Sequence, residues 1–318
     1  MHFDVFNGDA DGIIALLQLR LASPKEAKLI TGVKRDISLL QQVDENTATS
    51  VTALDISMEK NADALTSLLN HDIDVFYVDH HRAGNIPESD KLHAIIDTDA
   101  NTCTSLLVNR YLNGKYVYWA IAAAFGDNMK ASATALAQQY SLSESQQGQL
   151  EELGIYINYN GYGRSVADLH YHPADLYKAL LDYPDPFLLV NQPDSIFAKL
   201  KAAYHQDMAL AAKSEVLAEQ EKVKAVLLAD EAWARRVSGV FGNELANQSP
   251  DKAHAVLTRN SDNSFTVSLR APLNNKQGAG DICAAFPTGG GRAAAAGINA
   301  LPEQMLGEFI TAVAKYYT

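Results

Sequence analysis

Cysteine is close to absent from this sequence. Its 318 residues include two, Cys103 and Cys283, which excludes a disulfide-dense scaffold and a zinc site built on cysteine clusters. Long apolar runs are missing too: none reaches the ~18 residues a membrane-spanning helix needs. The opening MHFDVFNGDADG has neither the basic nor the apolar region of a signal peptide. The expectation is a cytoplasmic chain with no membrane partner. Positive charge is in deficit, with 26 Lys+Arg against 38 Asp+Glu and a net charge of -12. That balance argues against coating long nucleic acid by bulk electrostatics. Internal repeats and low-complexity tracts are likewise missing.

What is present is enough apolar material for a sizeable core, 47% hydrophobic against 20% charged. At ~100–200 residues per domain, the length suggests two domains. The charge is unevenly placed. Residues 1–221 carry 16 Lys+Arg against 30 Asp+Glu, and residues 222–318 carry 10 against 8. Two readings fit this: a solvated acidic surface, or a first part that holds divalent cations and a last part that meets an anion.

Residues 2–6 are short and apolar enough for a strand and run into the turn Asn7-Gly8-Asp9-Ala10-Asp11-Gly12. Helical periodicity follows over 13–21. Strand-like segments recur at 28–33, 51–54, 74–78 and 92–96, with helical ones at 36–43, 62–69 and 102–112. This alternation predicts crossover units and a mainly parallel sheet. Residues 116–190 read as mostly helical. The stretch 196–225 is charged and nearly free of Gly and Pro, and reads as one extended helix. Further on, 253–258 and 264–270 read as strands, and Gly289-Gly290-Gly291-Arg292 as the opening of a small-residue helix from Ala293. The expected fold class is α/β. A parallel-sheet domain covers 1–195, a linker helix 196–225, and a smaller α/β domain 226–318.

The acidic and imidazole groups fall at strand ends. Asp9 and Asp11 follow the first strand, Asp55 ends another, and Asp79-His80-His81 end a third; Asp127 follows the apolar run 119–125. In an open parallel sheet the carboxyl ends of the strands line one crevice, so these groups converge. Any one acid could be a helix cap or turn residue. A whole set placed this way points to a cation, because clustered carboxylates raise one another's pKa unless a positive charge neutralises them. Oxygen ligands with one or two imidazoles suit Mn2+ or Mg2+. Several carboxylates in one cleft can hold two ions ~3.5–4 Å apart, one carboxylate bridging.

These motifs together resemble the DHH phosphoesterase superfamily with a C-terminal DHH-associated domain, of the RecJ-like and oligoribonuclease-like kind. The triplet is Asp79-His80-His81. The first motif, of His-x-Asp-x-Asp-Gly type, reads Asn7-Gly8-Asp9-Ala10-Asp11-Gly12, and the lone acids are Asp55 and Asp127. The associated domain's glycine run reads Gly289-Gly290-Gly291-Arg292-Ala293-Ala294-Ala295-Ala296-Gly297, and Ser268-Leu269-Arg270 also fits that domain. The resemblance spans essentially the whole chain.

It implies a two-metal site for Mn2+, or Mg2+, with Asp55 bridging. Asp11, His80 and Asp127 would complete one site, and Asp9 with Asn7 would serve the other. His81 would sit beside the scissile phosphate as hydrogen-bond donor or general acid, and Asp79 would orient the histidines. Gly289, Gly290, Gly291, Arg292 and Arg270 would bind substrate. Two residues depart from the pattern. Asn7 stands where histidine is usual, which weakens one metal site. Arg292 replaces the histidine after the glycines, and arginine grips phosphate with parallel hydrogen bonds.

The function implied is a metal-dependent phosphodiesterase or exonuclease acting on short oligonucleotides, linear or cyclic dinucleotides, or phosphonucleotides. The strong negative charge favours a short substrate gripped locally. A second reading is a catalytically weakened nucleotide-binding sensor, motivated by Asn7. A third, an inorganic pyrophosphatase, is opposed by the glycine run. Partners expected are a short nucleic acid or nucleotide substrate and a second copy of the chain in a homodimer.

Overall fold

Each short apolar run in the first third of the chain forms a strand, and the strands pair in parallel. A computed structural model describes residues 1–99 and 101–317. In it, β1 (His2–Phe6), β2 (Lys28–Ile30), β3 (Ser50–Leu54), β4 (Asp74–Asp79) and β5 (Leu92–Ile96) form a sheet in the order β2-β1-β3-β4-β5. All four ladders are parallel. The order reverses between β1 and β3, so a crevice opens at the carboxyl ends of those two strands. The central strands are buried on both faces, which explains their near-continuous apolar sequence.

The helices of this part are α1 (Ala10–Ala22), α2 (Ala62–Asn70), α3 (Thr104–Tyr111), α4 (Val117–Gly126), α5 (Lys130–Gln139), α6 (Glu144–Asn160), α7 (Pro173–Leu180), α8 (Pro186–Val190) and α9 (Ile196–Ala211). Helix α1 is apolar on nearly every side and is buried from Ala10 to Arg20, as such a helix must be. Ser143 and Gln146 close a reciprocal capping box at the start of α6, satisfying two amides the first turn leaves unpaired. Prolines open α7 and α8, where the missing N–H costs nothing. One face of the sheet buries Phe3, Val5, Val51, Ala53, Val75 and Tyr77 against Leu39, Leu65 and Leu68.

Two compact units divide the chain, Met1–Ala202 and Ala203–Thr318. The second holds β6 (Glu215–Glu219), β7 (Val223–Leu228), α10 (Ala232–Gln248), β8 (Ala253–Arg259), β9 (Phe265–Arg270), α11 (Ala279–Ala284), β10 (Gly289–Gly291), β11 (Ala295–Leu301) and α12 (Leu306–Tyr317). Its sheet runs β10-β11-β9-β8-β7-β6. The β7–β8 ladder is parallel, with α10 as its crossover, and the other ladders are antiparallel. Phe265, Val267, Leu269, Phe309 and Val313 are among the residues that fill its core. No helix among the described residues is long and apolar enough to cross a membrane.

Three local expectations fail. The helix expected over 36–43 is a loop with one 3-10 turn, Leu40–Gln42. Asp36 accepts from the Val33 amide, while the Asn61 side chain accepts from the Leu40 amide and donates to the Ile37 carbonyl. These bonds satisfy the backbone without a helix. The long helix expected over 196–225 stops at Ala211, and β6 and β7 follow, because β7 takes that segment into the sheet by pairing with β8 and β6. The glycine run does not open a helix. Gly289–Gly291 is a strand pairing antiparallel with β11, Gly290 opposite Gly297. Helix-favouring alanines yield there to the ladder that β11 makes with β9.

Candidate metal centre

The turn after β1 and the first turn of α1 carry three of the expected residues, all buried: Asn7, Asp9 and Asp11. Asp9 caps α1, its Oδ1 accepting from the amides of Asp11 and Gly12 at 2.9 and 3.1 Å. Asp11 faces the other way. Its two oxygens accept from the amides of Thr104 and Ser105, both at 2.7 Å, at the N-terminus of α3. Those donors stabilise a fully buried carboxylate. Asp55 follows β3 with a left-handed backbone, φ 57°, a strained conformation that asparagine and aspartate tolerate better than other side chains. Its Oδ1 accepts from the Thr104 hydroxyl at 3.1 Å. Asp127 follows α4, its amide bonded to the Ala123 carbonyl at 2.8 Å.

His80 joins these acids. Its Nδ1 lies 3.1 Å from the Thr102 carbonyl, which can only accept, so Nδ1 carries a proton. In the neutral ring Nε2 then has the lone pair. That atom lies 3.5 Å from Asp55 Oδ1, 3.8 Å from Asp127 Oδ2 and 3.9 Å from Asp11 Oδ2. Donor atoms bonded to one ion at about 2.1 Å stand about 3–4 Å apart. One lone pair and three carboxylates converging at these spacings fit a divalent cation. A ring N–H given to a backbone carbonyl is the usual way a metal-binding histidine is oriented. Donor atoms of Asp11, His80 and Asp127 all lie within 4.8 Å of one another, as do those of Asp55, His80 and His81; His80 is common to both groups, and these are the residues that could hold an ion.

The electrostatics agree. Burial, then repulsion from Asp11, Asp9, Asp127 and Asp79, holds the Asp55 carboxyl well above its ordinary pKa. Burial also raises Asp127, with Lys34 opposing and Asp11 and Asp9 adding to the rise. A bound cation would relieve both. His81 stands at the rim, 43% exposed, with Nδ1 at 2.7 Å from Asp79 Oδ1. Burial pulls its pKa down, but the hydrogen bond and charge of Asp79 outweigh it, and the net is a rise.

Asn7 does not turn its amide oxygen to the cluster. Its Oδ1 accepts from the Asp9 amide at 3.1 Å, and its Nδ2 donates to the Lys34 carbonyl at 3.1 Å. The sequence reading passed over Lys34. Its Nζ lies 2.5 Å from Asp9 Oδ2 and 3.3 Å from both Asp127 Oδ1 and Asn158 Oδ1. Burial pushes the Asp9 carboxyl up, but the Lys34 ammonium and its hydrogen bond outweigh it, leaving Asp9 below its usual value. A basic residue two positions past Gly32, on the loop leaving a strand at the same sheet edge, was the signal available. Thr102, Thr104, Ser105 and Asn158 also hold the site together.

The substrate residues expected near the C-terminus lie in the second unit. Arg270 ends β9, and its guanidinium donates to Asn243 Oδ1, Ser268 Oγ and the Gly239 carbonyl. Gly289 presses on α11: a Cβ there would stand 1.9 Å from the Cys283 carbonyl oxygen. Gly291 has φ 143°, and a Cβ there would meet Ala296 at 2.5 Å. Gly290 faces open space, and Arg292 is exposed at the β10–β11 turn. Tyr156 and Tyr159 are buried in α6, and Tyr159 meets His170 at 2.8 Å, so both belong to packing.

No family model and no curated protein matches the chain. Solved structures do. A DHH domain described as a member of the S1p family of ribosomal proteins superposes with TM-score 0.63 at 14% identity, covering 99% of this chain and 86% of that one. The exonuclease RecJ bound to manganese gives 0.59 at 14%, covering 99% and 90%. A pGpG-specific phosphodiesterase from Vibrio cholerae gives 0.58 at 12%, covering 99% and 98%. The chain has the DHH-type fold, a five-stranded parallel sheet followed by a mixed sheet.

Proposed function

We propose that this chain is a divalent-metal phosphoesterase of the DHH superfamily, a hydrolase acting on short oligonucleotides, dinucleotides or phosphonucleotides. The observation that carries the reading is the lone pair of His80 facing Asp55, Asp127 and Asp11 within 3.9 Å. A divalent ion there supplies Lewis-acid charge for phosphoryl oxygens and lowers the pKa of water. Mn2+ suits a set of three carboxylates and one imidazole, and Mg2+ is the alternative. The RecJ structures that contain Mn2+ or Mg2+ support this choice.

His81 keeps its Nδ1 on Asp79, which leaves Nε2 for the leaving oxygen, and its raised pKa suits a general acid. Thr104 orients Asp55, and the α3 amides hold both oxygens of Asp11 in place. Arg292 and the backbone of Gly289, Gly290 and Gly291 would meet the substrate's terminal phosphate, with Arg270 on β9 of the same sheet, one strand removed from β10. Gly290 supports this, because no packing contact requires a glycine there. The complete ligand set around His80 favours turnover over a purely binding role.

The test is a hydrolysis assay with Mn2+ on di- to pentanucleotide RNA, linear and cyclic dinucleotides, a 3′-phosphonucleotide and pyrophosphate. Turnover of a nucleotide substrate by the wild type and its loss in Asp55→Ala, together with lost Mn2+ binding, is the expected result. Equal activity in Asp55→Ala overturns the metal reading.

A further inference from the structure

An ammonium group has three N–H donors and no acceptor. All three donors of Lys34 are met, by Asp9 Oδ2, Asp127 Oδ1 and Asn158 Oδ1. These come from the turn after β1, the end of α4 and the last turn of α6. The backbone of Lys34 is fixed as closely. Its amide donates to the Gly161 carbonyl at 2.8 Å, and its carbonyl accepts from Asn7 Nδ2 at 3.1 Å. The Nζ also lies 5.7 Å from the centre of the Tyr162 ring, a cation–π distance.

The same contacts account for what a second metal ion would need. Asp9 has one oxygen capping α1 and the other on Lys34. Asn7, the remaining expected ligand of that ion, has its oxygen on the Asp9 amide. Asp127 divides its two oxygens, Oδ1 toward Lys34 and Oδ2 toward His80. The residues therefore fit one ion on the His80 side and do not fit a second on the Asp9 side.

We infer that the Lys34 ammonium is the second cation of this centre: the chain takes one divalent ion, among Asp11, Asp55, His80 and Asp127, and Lys34 stands between Asp9 and Asp127 in place of another. The inference rests on the metal reading above. It gives Asn7 a positive role. Histidine at position 7 would offer a lone pair to an ion; asparagine offers a donor to the Lys34 carbonyl and an acceptor to the Asp9 amide, so it seats the lysine. A fixed ammonium supplies charge without exchange with solvent and without a coordination sphere. Charge compensation at Asp9 is then independent of metal concentration.

The experiment is Mn2+ binding to the purified full chain, followed by isothermal calorimetry and by electron paramagnetic resonance of the bound ions. Wild type is expected to bind one Mn2+ per chain, with the spectrum of an isolated ion. The double variant Asn7→His/Lys34→Met is expected to take up a second, with the line shape of a spin-coupled pair. Lys34→Met alone should tighten binding at the second position at least tenfold over wild type. Two coupled ions in the wild type would overturn the Lys34 assignment and leave the metal reading standing. No bound ion in the wild type would overturn both. Because the deciding stoichiometry is that of the unaltered protein, the result stands even where a variant fails to fold.

Discussion

His81 Nδ1 lies 2.7 Å from Asp79 Oδ1, and the other oxygen of that carboxylate is buried with no hydrogen-bond partner among the described residues. A buried carboxylate with an unpaired oxygen is costly, and here its one strong bond is spent on orienting a rim histidine. The charge of Asp79 raises the His81 pKa above its ordinary value despite burial. The protonated form therefore survives to higher pH than in a free histidine. Asp79→Asn removes the charge and keeps the shape. The basic limb of the rate profile should move toward lower pH, and kcat at neutral pH should fall by about 100-fold, the scale of a general-acid contribution. Bound Mn2+ should stay unchanged. A pH–rate profile with a metal count reads both.

The same sheet holds a second buried charge cluster, away from the metal centre. Arg20 of α1 donates from Nε to Asp4 Oδ2 at 2.9 Å and from Nη2 to Asp4 Oδ1, with His2 and Thr52 adding contacts at 3.0 and 3.2 Å. Removing one partner leaves an uncompensated buried charge. Arg20→Met should cost about 3–5 kcal/mol of stability. Asp4→Leu/Arg20→Met should recover most of it, since well-packed apolar pairs often replace such bridges without loss. Urea midpoints of the two variants decide this.

His254 on β8 is 1% exposed and lies between Lys224 and Arg270 in the ladder registers. Burial, then the Lys224 charge, lowers its pKa to about 4. The native protein thus holds this ring neutral at a pH where the unfolded chain, with an ordinary value near 6.5, takes up a proton. The contribution is complete above about pH 6.5 and declines as pH falls toward 4. Its full size is up to about 3 kcal/mol at ~1.4 kcal/mol per unit. His254→Gln should flatten the slope of unfolding free energy between pH 7 and 4 relative to wild type. Equal slopes in both proteins would reject this account.

Helices α4 and α6 touch through glycines. A Cβ on Gly154 would stand 1.9 Å from the Ala122 carbonyl oxygen, and one on Gly126 would stand 2.7 Å from the Gly154 carbonyl oxygen. These helices carry Asp127 and Asn158 to the same cluster. Gly154→Ala should cost at least ~1–3 kcal/mol through overpacking. It should also weaken Mn2+ binding, because Asp127 is displaced from His80. Thermal unfolding with and without Mn2+ separates the two effects: the loss should be larger with the ion present.

The acids of the centre were legible because most of them follow strands, and strands of a parallel sheet end on one side. Asp11, Asp55, Asp79 and His80 are brought together on that basis, and Asp127 joins them from the end of α4. Lys34 was not legible. It lies 25 residues from Asp9 and 93 from Asp127 in the chain, and it falls between the segments expected as a strand, 28–33, and a helix, 36–43. A single lysine in a loop has no periodicity to announce it. Asn7 was legible as a departure from the usual histidine, but what its amide would bind instead depended on where the Lys34 loop runs.

By itself the sequence determined the α/β class, the strand positions of the first unit and the acidic edge of its sheet. Period and burial are local properties, and strand ends converge once strands pair in parallel. Tertiary structure alone decided the division of labour among those residues. The α3 amides on Asp11, the Thr102 carbonyl on His80 and the ammonium between Asp9 and Asp127 are contacts between segments far apart in sequence. The glycine run at 289–291 obeyed the same rule. Glycine prefers no one backbone conformation strongly, so the strand it joined was set by the partner beside it, β11.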